Sequence, residues 1–125
     1  MKRDMDLIRE ILLAVENGPE RGIENFKIGS FFRDQIIHNI RLLKKAEYIE
    51  GAIYESDNAG VLGYRIFRLT WAGHDFLEAC RDEGRWTKAK EIFGKLDGVT
   101  FDVIKQVLVE LTMTAAKQLI PGSAL

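Results

Sequence analysis

An α+β fold, helices built around one β-hairpin with a helical C-terminal extension, is predicted by three observations. Apolar residues recur at three- and four-residue steps in several segments, which is the helical period. The stretch from Arg33 to Lys45 is amphipathic and runs through "AEYIEG" into residues rich in β-branched and aromatic side chains. A second such run follows after Asp57, Asn58, Gly60 and Gly63, all turn formers.

The first helix is "DMDLIREILLAVENGP", with Leu7, Ile8, Ile11, Leu12 and Val15 on one face. Asp4 suits its cap, because a carboxylate there accepts an orphan amide hydrogen bond. Gly18 can take the left-handed cap, and Pro19 cannot continue the ladder. Phe26 and Ile28 alternate with polar neighbours and predict a short strand. The second helix starts near Phe31 or Arg33, with Ser30 the nearest capping residue. On a wheel Phe32, Ile36, Ile40 and Leu43 point to a core, while Asp34, His38, Arg41 and Lys45 point to solvent. Gln35 sits on one border of the polar face, Arg33 and Lys44 on the other.

Residues 52–55 and 64–69 predict the two hairpin strands, with "SDNAGVLG" a loop too long for a tight two-residue turn. Thr70 caps the next helix, "WAGHDFLEACRDE", and "GRWTKAKEIFGKLDG" adds a further helical turn or two. Trp71 and Trp86 are expected to pack the helix pair against the hairpin, since large aromatics dominate cores. Thr100 caps the last helix, whose Phe101, Ile104, Leu108, Leu111 and Ala115 recur helically until Pro121 and Gly122 end it. A helix followed at once by a hairpin is the order of a winged helix, in which that helix enters the major groove and the hairpin is the wing. The expected division is a winged-helix-like domain over 1–98 and an amphipathic helix over 99–125. That helix either packs on the domain or pairs with a second copy.

At 125 residues and 46% apolar content the chain fits one globular domain. It has no run of about 18 apolar residues, the length a membrane span needs. "MKRDMDLIRE" carries charges where a signal peptide needs an apolar stretch, so the cytoplasm is the expected compartment. The single cysteine, Cys80, reads as a small buried hydrophobe. Net charge is −1, but it is unevenly placed. Residues 27–48 are the only net-positive segment, with Lys27, Arg33, Arg41, Lys44 and Lys45 against Asp34 and Glu47.

Catalytic and cofactor chemistry finds no residues to work with. His38 and His74 are far apart and one cysteine cannot complete a zinc set. Neither GxxxxGK[ST] nor GxGxxG occurs, nor a GxSxG elbow. Cys80 and His74 lie on opposite sides of one helix. The expectation is therefore a protein that is no enzyme and holds no metal or cofactor. The candidate site is the strip Gln35, His38, Arg41 and Lys45 with Arg33 and Lys44 beside it, facing double-stranded DNA. Arginine and glutamine can make bidentate contacts to base edges, and lysines fit phosphates. Arg65 on the returning strand is a further candidate. Asp34 in the strip and Asp57 at the wing tip oppose phosphate.

Two stretches, "MKRDMDLIREIL" and "RLTWAGHDFLEACRDEGRWTKAKE", resemble the bacterial and prophage-encoded family known as domain of unknown function 2513. "LLKKAEYIEG" and "FDVIKQVLVEL" also fit it, so the resemblance covers nearly the whole chain. The segment "LLKKAEYIEG…RLTWAGHDFL" is further similar to winged-helix transcription regulators, in which a helix ends L-x-x-A-x-x-I and the wing returns as x-L-T-x-x-G. The resemblance implies a winged-helix-like fold and a bacterial or phage setting, and it implies no activity. One departure is visible: between "FKIGS" and Arg33 there is room only for a turn where regulators carry a positioning helix. A DNA-binding regulator is the first functional expectation and a protein–protein adaptor on the same scaffold the second.

Overall fold

Asp4 opens the first helix as expected: its carboxylate accepts the Leu7 N–H at 3.1 Å, and α1 runs Met5–Asn17. A computed structural model describes residues 1–122. It is an α+β chain with five helices and one three-stranded antiparallel sheet among the described residues. The chain divides into two compact units, Met1–Leu77 and one that begins at Glu78. The expected boundary after residue 98 lies in the connection between α4 (Glu83–Phe93) and α5 (Phe101–Leu119). Residues 123–125 of the expected terminal segment lie outside the described residues.

In the first unit α1, β1 (Ile23–Glu24), α2 (Arg33–Lys45), β2 (Ile49–Ser56) and β3 (Gly60–Leu69) follow in order. The sheet order is β1-β3-β2. The short strand is thus Ile23–Glu24, paired to Ile66 and Arg65, and not the expected Phe26 and Ile28. Backbone geometry explains the shift. Gly22 has φ +91°, and a Cβ there would lie 2.2 Å from the Ile66 carbonyl oxygen, so only glycine lets the chain meet β3 at this point. Asn25 then turns left-handed, φ 47°, and ends the pairing. Gly18 departs from expectation too: its backbone is extended, and α1 ends without a left-handed cap.

The core of this unit comes from Leu7, Ile8, Ile11 and Leu12 of α1, Ile36, Ile40 and Leu43 of α2, and Tyr64 and Ile66 of β3, all buried. Phe32, expected among them, is 76% exposed. It is the N-cap residue of α2, and its extended backbone turns the ring off the helical wheel. Ser30 does not cap the helix. Gln35 reaches back instead, its Oε1 accepting the Phe32 N–H at 2.9 Å. Two polar side chains among the described residues are inside, Arg9 of α1 and Asn39 of α2, and Asn39 is the deeper at 1% exposed. Its Oδ1 accepts the Asp4 N–H at 2.9 Å and its Nδ2 donates to the Gln35 carbonyl at 2.8 Å. A buried amide placed this way satisfies α2 internally and anchors the cap of α1 to it.

α2 stops without glycine. The Tyr48 N–H bonds the Leu43 carbonyl and the Glu47 N–H that of Lys44, each at 3.0 Å. This is a Schellman closure, and it puts Glu47 in the left-handed region at φ 64°. The hairpin strands are longer than predicted, so that only residues 57–59 form the loop. Ser56 Oγ accepts the Asn58 and Ala59 N–H groups, and Gly60 takes φ +72°. A three-residue loop closed by a left-handed glycine is a standard hairpin solution. It frees Val61 and Gly63 to pair with Glu55 and Tyr54, and the register shift between those two pairs leaves Leu62 as a bulge.

α3 (Trp71–Cys80) docks by its first turn. Thr70 Oγ1 accepts the Gly73 N–H at 3.1 Å and donates to the Glu47 carbonyl at 2.7 Å. A Cβ on Gly73 would lie 2.0 Å from the Tyr48 carbonyl oxygen, so the helix comes to the strand at glycine contact. Trp71, expected to pack, is 87% exposed because the first position of this helix faces solvent.

In the second unit Asp82 caps α4, its Oδ1 accepting the Arg85 N–H at 2.8 Å, and α4 runs for 11 residues, longer than the turn or two expected. Thr100 caps α5, accepting the Val103 N–H at 3.3 Å. Trp86, Ala89, Ile104 and Leu108 are buried, as is Cys80. No helix among the described residues is long and apolar enough to cross a membrane.

Two stability changes follow from these contacts. Asn39→Leu keeps the volume but orphans the Asp4 N–H, and urea unfolding should lose about 1–3 kcal/mol. Glu47→Gly relieves a left-handed residue that costs roughly 1–2 kcal/mol, partly offset by about 0.5 kcal/mol of added unfolded-chain entropy. Its unfolding midpoint should therefore rise, and an unchanged midpoint would show that the Schellman turn carries no strain.

Candidate nucleic-acid interface

The outer face of α2 holds the predicted residues in one row, but the structure gives them different tasks. Lys44 and Lys45 occupy the last turn, where their charge also favours the negative end of the helix dipole. Lys45 is exposed and Lys44 half-buried, and no carboxylate among the described residues pairs with either. His38 is half-buried on the same side.

The two arginines tie α2 to the hairpin. Arg33 Nη2 donates to the Val61 carbonyl of β3 at 3.2 Å, and its guanidinium carbon stands 5.7 Å from the Tyr64 ring centroid. Two turns along, Arg41 forms an ion pair with Glu55 of β2. Helix and hairpin are therefore linked at two points along the basic row, at Arg33 and at Arg41. The Arg41–Glu55 side chains are 47% and 50% exposed, so the pair is worth about 0–1 kcal/mol and opens at small cost. Gln35 is committed to the helix cap. Arg65 stands apart. Successive strand residues face opposite ways, so Arg65 lies on the other face of β3 from Tyr64, on which Arg33 rests. Its Nη2 donates to the Arg21 carbonyl at 2.6 Å and its guanidinium lies 5.5 Å from the Phe67 ring centroid.

The predicted acids are present as well. Asp34 is exposed in the first turn of α2. The hairpin tip carries exposed Asp57 and no cation.

At the head of α2 lies a concavity of about 480 Å³ that sequence reasoning missed. Tyr64 and Ile36 form its inner wall, Phe31, Phe32 and Leu62 its apolar rim, and Asn25, Lys27 and Arg33 its polar side. Its walls are fixed by the segment that joins β1 to α2. Asn25 Oδ1 accepts the Tyr64 N–H at 3.0 Å, and the Asn25 N–H returns to the Tyr64 carbonyl at 2.9 Å. The Tyr64 hydroxyl donates to the Phe26 carbonyl at 2.5 Å, with the Phe26 ring edge-on at 5.3 Å. Burial pushes the Tyr64 hydroxyl above the usual phenol range, and the Arg33 charge works against that shift. The sequence signal for this site was Phe32 next to Arg33, a phenylalanine that periodicity alone assigns to the core.

The described residues contain no cluster of three or more histidine, cysteine or carboxylate groups able to hold a metal ion.

Comparison with known proteins adds a family and a relative. The family described as "Hypothetical protein (DUF2513)" matches residues 2–100. An uncharacterized protein of Haemophilus influenzae is 36% identical over 110 residues, covering 86% of this chain and 92% of that protein. No solved structure matches the chain. The family match runs from the residues before α1, through the sheet and α2, to the Thr100 cap of α5, and the chain belongs to the DUF2513 family.

Proposed function

We propose that this chain is a non-enzymatic DNA-binding protein on a winged-helix scaffold, a small bacterial or phage regulator that lays α2 in the major groove. The observation that carries the reading is the pairing of an exposed basic helix with the hairpin that follows it at once. Lys44 and Lys45 would meet phosphates, and Arg41, released from Glu55, would reach the groove floor. The hairpin, held to α2 by Arg33 and Arg41, would lie beside the duplex as a wing. The segment between β1 and α2 holds a turn at Gly29 and Ser30 in place of a positioning helix, so α1 is the helix that supports α2, through Asn39. Pairing of two copies through α5 would present two reading helices to successive half-sites, about 34–36 Å apart along the duplex.

An adaptor that binds another protein through the same scaffold is the second reading. It is favoured by the exposure of Trp71, Phe32 and Leu62, large apolar side chains that a monomer gains nothing by presenting to water.

A salt titration of fluorescence anisotropy on a labelled random-sequence duplex tests the first reading. Affinity should fall with salt, and Lys44→Ala with Lys45→Ala should flatten the log–log slope by about two. Absence of salt-sensitive binding at low ionic strength would remove the DNA reading and leave the adaptor.

A further inference from the structure

We propose that the concavity at the head of α2 takes one unstacked nucleotide of a nucleic-acid strand, its base against Phe32 and Leu62 and its phosphate against Lys27 and Arg33. The inference rests on the DNA reading above and adds a second mode of contact to it.

Four observations carry it. The first is exposure where burial would be expected: Phe32 is 76% and Leu62 62% exposed, and both line the same hollow. A flat ring and a branched aliphatic chain flanking a cleft match the two faces of a base, and stacking of this kind is indifferent to sequence. The second is charge. The lining holds two cations, Lys27 and Arg33, and no carboxylate. Arg33 uses one of its five N–H donors on the Val61 carbonyl, which aims the guanidinium and leaves donors for a phosphate oxygen. Lys27 is exposed with no partner among the described residues. Apolar walls with cations on one side suit an anion that carries a planar apolar group. The third is size: about 480 Å³ lies within the roughly 300–1,000 Å³ typical of small-ligand sites. The fourth is preorganisation. Asn25 and Phe26 are bonded to Tyr64, so the walls stand ready and little order has to be imposed on binding. Arg33 belongs to both this hollow and the basic row of α2, so a strand tracked by Lys44 and Lys45 continues toward the site.

The whole chain is titrated against two labelled duplexes, one fully paired and one identical but for a single unpaired nucleotide. The wild type should prefer the bulged duplex by about tenfold, the scale of one base–aromatic stack. Phe32→Ala should abolish that preference while leaving affinity for the paired duplex within about twofold, and Phe32→Trp should keep it. Because Phe32 is mostly exposed, the fold should survive, and circular dichroism checks that it does. Lys44→Ala with Lys45→Ala should weaken both duplexes and keep their ratio. Equal binding of the two duplexes by the wild type, or a preference that survives Phe32→Ala, overturns the nucleotide site and leaves the DNA reading standing. Binding of neither duplex overturns both. Adenosine monophosphate that binds with the same Phe32 dependence while the bulge confers no preference would assign the hollow to a free nucleotide and overturn the strand as its source.

Discussion

Two carbonyl oxygens at the end of α2 organise the first unit. The Glu47 carbonyl accepts the Thr70 hydroxyl, and the Tyr48 carbonyl accepts the Thr70 N–H at 3.1 Å. Both oxygens point outward because the chain leaves the helix through a left-handed residue. That turn starts β2, the Thr70 contacts fix the end of β3, and the same threonine caps α3. The position of the hairpin relative to α2, on which any wing-like action depends, is set here. Gly73 shows how tight the junction is, since no side chain fits between α3 and the Tyr48 carbonyl.

Charge on α2 is divided between structure and solvent. The arginines, with planar guanidinium groups and several donors, make directional contacts to the hairpin. The lysines, compact charges on flexible stems, are left to the solvent. Glu55 holds Arg41 against the hairpin through a charge-assisted contact.

Much of this architecture was legible in the sequence. Helical spacing in α1, α2 and α5 and the caps Asp4, Thr70 and Thr100 were read from local chemistry, because a cap depends on a few consecutive residues. The misreadings involve partners far along the chain. Phe26 and Ile28 alternate like a strand, yet pairing was decided by Gly22 meeting Ile66. The cap role of Gln35 was not legible either, because it depends on the backbone at Phe32. Asn39 gave no signal at all, since a polar residue on a helix reads as surface until Asp4 is seen beside it. Phe32 and Trp71 failed for a shared reason: both sit at helix starts, where the wheel no longer describes where a side chain points. The basic row of α2 was visible as composition, whereas the hollow at its head needed the return of β3 to exist.

The tryptophans have an optical consequence. Trp71 is 87% exposed in the first unit and Trp86 is 3% exposed in the second, and the chain has no others. The first ring should emit like free indole in water and be open to iodide, while the second emits at shorter wavelength and is shielded from it. Each unit thus carries its own intrinsic chromophore. A blue shift of the solvated ring would report a partner arriving on the first unit, and a red shift of the shielded ring would report loosening of the second.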